Sequence, residues 1–326
     1  MIRQKPVLAL DIGGTKLAVA MVDEDGRTHG LIVEPTDKLR GPDAVIAHLF
    51  DMGHRSISAA GVGDPAAVGI SCGGPLDTAS GVLTGPLHLP GWVDVPIVDM
   101  ARLEFGAPAV LENDASAAVV AEHRFGAARG TQTALYLTLS TGVGGGAVID
   151  GRLHRGARGN GGEFGHITVR PGGYLCECGR HGCIEAYASG TSIARRAADR
   201  LAADDRPSPL RDLPAVRSEN VAAAAAAGDD IAGELWDETV AVLGQAVTDL
   251  VNVFEPEVVV LGGGVTRSGA MLLDPVRETV RRTAMPPAAR AHVTLAGLGD
   301  VVCVVGAGAL ALDLSTRLDR EGSSHV

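Results

Sequence analysis

The chain has 326 residues, and its 39 acidic side chains outnumber its 28 basic ones to give a formal net charge of -11. This length suggests about two domains, and the acidic balance argues against a nucleic-acid binder whose affinity comes from neutralising phosphates. Glycine is in excess at 44 residues without the repeat that collagen requires, so we expect a globular protein with many glycine turns.

The apolar runs predict neither an export signal nor a membrane span. Residues 7–10 are apolar but Asp11 ends the run, which is far shorter than the core of a signal peptide. The run 301–312 contains glycines and is too short to cross a bilayer. The five cysteines are an odd number, and three of them crowd together at 176–183. That pattern fits a reducing, cytoplasmic compartment and a metal site better than a disulfide framework.

Apolar runs that end in glycines predict a series of strands in the first part of the chain. Residues 7–10 lead into the loop 11–16 (DIGGTK), and residues 17–22 are expected to form a second strand. A further strand is expected after Gly26, a helix over 42–58, and a strand at 67–70 that runs into Gly73 and Gly74. Strands interleaved with helices indicate α/β architecture.

Three polar residues follow the next predicted strand, and the last two of them, Asn113 and Asp114, form a pair at the start of a predicted helix. Residues 109–111 precede Glu112, Asn113 and Asp114, and the alanine-rich stretch 115–123 predicts a helix. Asn and Asp are favoured at helix N-caps, which would by itself explain the pair. A carboxylate at a helix N-terminus is also stabilised as the anion, and from there Asp114 could accept a hydroxyl proton in phosphoryl transfer. The two roles are compatible.

The strand–glycine–strand signature recurs in the middle of the chain. Residues 134–139 and 147–149 predict strands on either side of the turn 140–146 (STGVGGG). The recurrence suggests duplicated halves that face each other across a cleft. Such turns either only close a hairpin or also point successive N–H groups at anionic oxygens. Two of them, with a third loop at 262–264, favour phosphate binding, although no Walker A sequence is present.

A candidate metal site follows the second hairpin. Its four residues are His166, Cys176, Cys178 and Cys183. Three thiolates and one imidazole form a tetrahedral donor set suited to zinc, and four protein ligands leave no open position, so the metal would be structural. Buried unlinked thiols, or a Cys176–Cys178 disulfide, are the alternatives.

Two glutamates lie close in sequence to these ligands. Glu163 precedes His166 by three positions, and Glu185 follows Cys183 by two. A zinc ion would therefore hold two carboxylates and the far edge of an imidazole together, a set that suits the hydroxyls of a sugar or polyol. Taken singly, each glutamate could be a solvated charge. Cys72 and Cys303, in apolar surroundings, are predicted to be packing residues.

The last part of the chain is predicted to be mainly helical. Residues 204–220 contain three prolines among charged residues and predict a surface insertion, whereas the alanines at 222–227 favour a helix. A long helical pattern over 231–254 precedes a strand at 257–261, and residues 306–318 predict a terminal helix.

Together these motifs resemble the ROK family (repressors, open reading frames and sugar kinases) over about residues 7–312. The loop 11–16 is similar to the family's D-x-G-G-T-[KN] phosphate loop, and residues 112–114 to its E-N-D motif. Residues 162–166 resemble G-E-x-G-H, and residues 176–185 match C-x-C-G-x-x-G-C-x-E. The combination is far more specific than any single glycine loop.

The resemblance implies an actin-like fold of the hexokinase type (ribonuclease H-like), with two α/β domains around a cleft. The first would comprise residues 1–114 plus about 303–326, and the second residues 115–302 with the zinc-binding loop. ATP, Mg²⁺ and structural Zn²⁺ are the implied cofactors, and phosphate would pass to the 6-hydroxyl of a hexose. A homodimer or homotetramer is implied, and neither nucleic acid nor a membrane is expected as a partner.

The resemblance also assigns roles to residues. Asp114 would be the catalytic base, and His166 would bridge zinc and a sugar hydroxyl. The implied sugar-binding residues are Gly74, Asn113, Asp114, Glu163, His166 and Glu185. The implied ATP-binding residues are Asp11, Gly13, Gly14, Thr15, Lys16, Thr141, Gly142, Gly144, Gly263 and Gly264. The implied metal ligands are His166, Cys176, Cys178 and Cys183. Two features depart from the family: His88 stands where many relatives have Asn, and residues 204–220 match no motif.

Three functions are compatible with this pattern. The first is a glucokinase-type hexose kinase. The second is an N-acetylmannosamine or N-acetylglucosamine kinase, because residues 182–190 (GCIEAYASG) closely resemble N-acetylmannosamine kinases. The third is a sugar-responsive regulator. Regulators of this family carry an N-terminal helix-turn-helix, for which the six residues before the first predicted strand leave no room.

Overall fold

The computed structural model describes residues 5–323, so residues 1–4 and 324–326, at the ends of the predicted first domain, lie outside the described residues. Contacts divide the chain into two units. The first comprises Met1–Gly130, Leu153–Gly162 and Asp300–Val326, and the second Thr131–Arg152 and Glu163–Gly299. The helix expected at 115–123, which the sequence assigned to the second domain, belongs to the first unit because it packs on the C-terminal helix.

The elements follow one another in an α/β order that confirms the predicted fold class. The strands are β1 (Val7–Ile12), β2 (Lys16–Val22), β3 (Thr28–Pro35), β4 (Val68–Cys72), β5 (Leu76–Asp77), β6 (Val82–Leu83), β7 (Ala109–Asn113), β8 (Ala134–Leu139), β9 (Val143–Ile149), β10 (Arg152–Leu153), β11 (Val258–Gly262) and β12 (His292–Leu295). The helices are α1 (Pro42–Ala60), α2 (Ile97–Phe105), α3 (Asp114–Phe125), α4 (Glu185–Ala188), α5 (Gly190–Ala203), α6 (Ser218–Ala226), α7 (Asp230–Phe254), α8 (Ala270–Thr283) and α9 (Val302–Ser323).

Each unit is built on a mixed five-stranded sheet, and the two sheets repeat one connectivity. The orders are β3-β2-β1-β4-β7 and β10-β9-β8-β11-β12. Each sheet contains one antiparallel hairpin, β1–β2 or β8–β9. In the first sheet β1 pairs in parallel with β4, and β4 with β7. In the second sheet β8 pairs in parallel with β11, and β11 with β12. This repetition agrees with the recurring strand–glycine–strand signature of the sequence.

The core of the first unit lies on both faces of its sheet. Successive side chains of a strand point to opposite faces, so Leu8 and Leu10 pack in the cluster with α1 and α2, whereas Val7 and Ala9 pack with α9. The middle strands β1 and β4 are buried along their whole length, which explains their continuous apolar runs.

The terminal helix α9 is longer than the predicted 306–318. Residues 299–321 include a window with a mean hydropathy of 1.6, long and apolar enough to cross a membrane by composition alone, but 61% of that window is buried inside the protein. Its small residues permit close packing: a Cβ on Gly306 would lie 2.0 Å from the carbonyl oxygen of Ala117 in α3. These features are typical of a core helix.

The second unit is organised around the 25-residue helix α7, which contacts α4, α5, α6 and α8. Residues 204–220 join α5 to α6 as predicted, and Leu210 anchors this stretch because its side chain is buried in the core. Helices α2 and α8 were not predicted. In α8, Pro275 lies inside the helix, although proline in a sequence usually indicates a helix end.

The close packing of α9 generates a prediction about stability. Gly306→Ala should destabilise the protein by roughly 1–3 kcal/mol through overpacking against α3, despite the helix propensity that alanine adds. Gly233→Ala in α7, where a Cβ would meet nothing within 4 Å, should stabilise it by about 0.5–1 kcal/mol. Thermal and urea unfolding measure both. If Gly306→Ala were as stable as Gly233→Ala, the close contact between α9 and α3 would be contradicted.

Candidate active site

The first glycine loop joins β1 to β2 and is closed by its own backbone. The N–H of Gly13 donates to the carbonyl of Lys16 at 3.0 Å, and the Thr36 hydroxyl donates to the carbonyl of Gly13 at 2.7 Å. A Cβ on Gly13 would lie 2.7 Å from the Lys16 carbonyl oxygen, so the turn requires glycine there. Thr15 is exposed, and the Lys16 ammonium donates to the carbonyl of Asp300 at 3.3 Å.

Asp11, near the end of β1, is a buried carboxylate. Its Oδ1 accepts a hydrogen bond of 2.6 Å from the hydroxyl of Ser71, its register partner on β4. Burial raises the pKa of Asp11 to about 6; the Ser71 hydrogen bond opposes this shift and the charge of Asp114 adds to it. Two carboxylates of the first unit therefore lie close enough to interact electrostatically.

The sequence left open whether Asn113 and Asp114 cap a helix or serve catalysis, and in the structure only Asn113 is the cap. Asn113 is the N-cap of α3: its Oδ1 accepts from the N–H groups of Ala115 and Ser116 at 3.0 and 3.2 Å. Asp114 is the first residue of the helix. Burial raises the pKa of Asp114, while the N–H of Ala115 and the imidazole of His88 lower it. The helix is capped by Asn113, so capping does not account for Asp114.

His88 links the glycine loops of the first unit, a position that the sequence did not predict. A Cβ on Gly14 would lie 2.9 Å from the Cβ of His88, and a Cβ on Gly73 would lie 2.4 Å from its Cε1. Burial lowers the pKa of His88, and the charge of Asp114 raises it in part. The only signal in the sequence was its departure from the asparagine that many relatives have.

Gly74 belongs to the same region of the first unit. The position that a Cβ would take on Gly74 is 3.9 Å from the Nδ2 of Asn113. Ser71 was also missed in the sequence. Its position near the carboxyl end of β4 could have indicated it, because parallel strands place their carboxyl ends at one edge of a sheet.

The second glycine loop, between β8 and β9, is held by Glu185. The Oε2 of Glu185 accepts from the N–H of Val143 at 2.9 Å, and a Cβ on Gly142 would lie 2.7 Å from the same oxygen. Thr141 is exposed at the tip of this loop, and Gly144 is in β9, opposite Thr138. The predicted phosphate loop and a predicted sugar ligand are therefore in contact within the second unit.

The third glycine loop follows β11 and lies beside the second. Gly263 has a φ of 89°, and a Cβ there would lie 2.4 Å from the carbonyl oxygen of Leu139 at the end of β8. Gly264 borders a cavity of about 240 Å³ that Trp236 and α6 also line. Neighbouring parallel strands thus bring two glycine loops to one edge of the sheet.

The four predicted metal ligands converge. Their ligand atoms lie within 4.8 Å of one another, with 3.7 Å between the sulfurs of Cys178 and Cys183 and 3.7 Å between Cys176 Sγ and His166 Nδ1. A tetrahedral zinc with bonds of about 2.3 Å to sulfur and 2.0–2.1 Å to nitrogen requires separations of about 3.8 and 3.6 Å. The spacing fits zinc, and the five cysteines, all within the described residues, are free of disulfides.

The three thiols of the cluster differ in pKa. Burial raises the pKa of Cys176 to about 12 and raises that of Cys183, whereas the backbone N–H of Arg180 lowers the pKa of Cys178 to about 7. The thiolate is the form that binds a metal, so binding here would release the protons of Cys176 and Cys183. The donor chemistry therefore suits Zn²⁺.

The metal cluster is directly connected to the predicted sugar ligands of the second unit. His166 turns Nδ1 to Cys176 and Nε2 towards Glu163, whose Oε2 lies 3.9 Å away. The thiol of Cys176 donates to Oε1 of Glu185 at 3.5 Å. The predicted residues thus form one group in each unit: Asp11, Gly13, Gly14, Gly74, Asn113 and Asp114 in the first, and the hairpin, metal and glutamate residues in the second.

Known proteins resemble this chain over most of its length. A curated glucokinase from Thermotoga maritima is 36% identical over 284 residues, which are 86% of this chain and 88% of that protein. A curated N-acetylmannosamine kinase from Citrobacter koseri is 36% identical over 258 residues, 79% of this chain and 83% of that protein.

A solved structure shares both the sequence pattern and the fold. The ROK family glucokinase from Streptomyces griseus, in complex with glucose and AMPPNP, is 34% identical, covers 94% of this chain and 99% of its own, and has a TM-score of 0.79. The fold of this chain is therefore the actin-like one that the motifs implied.

The family itself follows from the whole chain. The ROK family model matches residues 7–314, a range that contains both sheets, all three glycine loops and the metal cluster. With sequence identity and coverage of this extent added to the geometry, this chain belongs to the ROK family.

Proposed function

We propose that this protein is an ATP-dependent kinase that transfers the γ-phosphate of ATP to the 6-hydroxyl of glucose. The observation that carries the proposal is the half-buried carboxylate of Asp114 at the start of α3, close enough to Asp11 for its charge to raise the pKa of Asp11. An acceptor base beside a second carboxylate and a glycine loop is the arrangement that phosphoryl transfer needs. The glucokinase relatives support glucose as the acceptor.

Asp114 would take the proton of the acceptor. The oxygen of the 6-hydroxyl forms a bond to the γ-phosphorus, the bond between that phosphorus and the bridging oxygen of ADP breaks, and the hydroxyl proton passes to the carboxylate of Asp114. A general base of this kind contributes about 10²–10⁴-fold to the rate. Asn113, with Oδ1 used by the helix cap, keeps its Nδ2 near Gly74 to donate to a sugar oxygen.

Asp11 is the residue that would hold Mg²⁺, directly or through water. A buried carboxylate whose pKa is raised by burial and by the charge of a neighbouring carboxylate, Asp114, fits a hard cation, which prefers oxygen ligands. When bound, Mg²⁺ supplies positive charge to the phosphate oxygens. The backbone of Gly13 and Gly14 and the ammonium of Lys16 would position the phosphates from the first unit.

The second unit carries candidate nucleotide-binding residues of its own. Thr141, Gly142 and Gly144 belong to a glycine-rich hairpin of the kind that approaches phosphates closely. Gly263 and Gly264 adjoin that hairpin, and the cavity beside Gly264 and Trp236 would receive the adenosine.

Glu163, His166 and Glu185 would bind sugar hydroxyls. Zinc held by Cys176, Cys178, Cys183 and the Nδ1 of His166 would be structural, since no coordination position is left open. A neutral imidazole that ligates through Nδ1 carries its proton on Nε2. His166 would therefore donate a hydrogen bond to the sugar, and the two glutamates would accept.

An N-acetylhexosamine kinase is the second candidate. Residues 182–190 resemble N-acetylmannosamine kinases, and the Citrobacter koseri relative has that name. Glucose remains the first proposal because the Thermotoga maritima glucokinase covers a larger share of this chain. A cytoplasmic location would keep the zinc thiols reduced, and a homodimer or homotetramer remains a prediction from the family.

Purified protein should be given Mg-ATP with glucose, mannose, N-acetylglucosamine or N-acetylmannosamine in turn, and glucose should yield ADP and glucose 6-phosphate. Asp114→Asn keeps the shape of the side chain but removes the base, so kcat should fall by about 10²–10⁴-fold while calorimetry still detects glucose binding. Turnover of N-acetylmannosamine alone would favour the second candidate. Turnover of none of these sugars would refute the kinase, and near-normal kcat in Asp114→Asn would remove Asp114 as base.

The acid limb of the pH profile should reflect the buried carboxylates. Because burial raises the pKa of Asp11 to about 6, kcat/KM for Mg-ATP at saturating glucose should fall as the pH drops through about 6, where Asp11 is protonated. Ser71→Ala removes the hydrogen bond that lowers this pKa, so the limb should move to higher pH. Ser58→Ala, on the exposed surface of α1, is the control. An acid limb near pH 4 in both the wild type and Ser71→Ala would contradict the assignment of this limb to Asp11.

Elemental analysis should find about one zinc per chain, as one closed four-ligand site requires. Cys178→Ser should lower the zinc content, reduce thermal stability and raise KM for glucose, because His166 and Glu185 lose their support. Cys303→Ser, outside the cluster, should keep the zinc. A metal-free protein with full activity and unchanged stability would contradict the zinc site.

A further inference from the structure

A short segment of the chain, residues 153–162, leaves the second unit in sequence and packs within the first. The N–H of Gly161 donates to the carbonyl of Arg155 at 2.8 Å and closes a turn. A Cβ on Gly159 would lie 2.7 Å from the Thr78 hydroxyl oxygen. The Oδ1 of Asn160 lies 3.9 Å from the position that a Cβ would take on Gly74, so this turn borders the proposed sugar-binding glycine.

The segment is attached to β7 by an ion pair with one buried partner. The Nε of Arg155 donates to Oε2 of Glu112 at 2.7 Å, and the Glu112 side chain is only 1% exposed. Burial raises the pKa of Glu112, and the charge of Arg155 is the largest influence that lowers it. Leaving a buried carboxylate without its cation is strongly unfavourable, so the ionised Glu112 needs the guanidinium of Arg155 beside it.

Glu112 uses its two oxygens for two different tasks. While Oε2 holds Arg155, Oε1 accepts from the backbone N–H of Asn113 at 3.1 Å. That N–H belongs to the helix cap immediately before Asp114. One carboxylate therefore connects the strand end that carries the proposed base to the segment that carries Asn160.

We propose that Arg155, acting through Glu112, is a positioning residue for the sugar. Its guanidinium fixes Glu112 and thereby the backbone at Asn113 and Asp114. Its own backbone fixes the turn that holds Asn160 against Gly74. Arg155 does not touch the reacting atoms, and the assignment rests on the proposed sugar kinase activity.

Arg155→Met should raise KM for glucose and lower kcat, so that kcat/KM for glucose falls about 10²-fold, as small misplacements of reacting groups do. KM for Mg-ATP should stay within about twofold, since the sugar side alone is disturbed. Arg155→Lys keeps the charge and should recover part of the loss; it also serves if Arg155→Met fails to fold. Arg158→Met changes an exposed arginine of the same segment and should match the wild type.

The double variant Glu112→Gln/Arg155→Met separates an ion pair from independent effects. Because it removes the unpaired buried charge, it should be more active than Arg155→Met alone, whereas independent sites would give additive losses. Additive losses, an unchanged KM for glucose, or equal behaviour of Arg155→Met and Arg158→Met would overturn the positioning role and leave the kinase intact. Wild-type protein that turns over no sugar would overturn both.

Discussion

The structure of the first unit depends on a costly arrangement, in which the buried carboxylate of Asp11 lies near the half-buried carboxylate of Asp114. Desolvation raises the pKa of both carboxyls, and two nearby anions in a protein interior destabilise one another. The compensation is local and polar: the hydroxyl of Ser71, the N–H of Ala115 and the start of α3 all favour the ionised forms. Such an arrangement lowers stability, and it is explained by what the pair would bind.

Parallel strands make this concentration of groups possible. In register, Asp11 is opposite Ser71 and Cys72 is opposite Asn113, so β1, β4 and β7 deliver their carboxyl ends to one edge, with about 4.8 Å between neighbours. The second unit has the same arrangement of parallel strand ends, since Gly262 of β11 is opposite Thr138 of β8. The repeated connectivity thus places a glycine hairpin and a second loop at the corresponding edge of each sheet.

The sequence predicts those features that short stretches determine. The strand–glycine–strand hairpins, the cap at Asn113 and the convergence of three cysteines with His166 follow from local patterns, and the structure has each of them. The contacts that were missed join residues far apart: Arg155 and Glu112 are separated by 43 positions and Ser71 and Asp11 by 60. Their partners depend on strand order and on a segment that returns to the first unit, and no local pattern records either. Helix α8 was also missed, and it contains Pro275, a residue type that usually indicates a helix end.

The net charge of -11 and the scarcity of regular structure around the predicted zinc ligands both indicate that local contacts hold the ligands of this protein. The loop 167–184 contains only the isolated bridges Thr168–Cys183 and Leu175–His181, so its shape needs anchors. A metal would provide one; the other is the buried guanidinium of Arg196, which lies over the rings of Tyr174 and Tyr187 and donates to the carbonyl of Tyr187. Tyr187 belongs to α4, the short helix that Glu185 begins. The sugar-binding carboxylate would therefore be fixed from both sides, through Cys183 by zinc and through Tyr187 by Arg196, so that an acidic protein positions its substrates by local contacts and not by its overall charge.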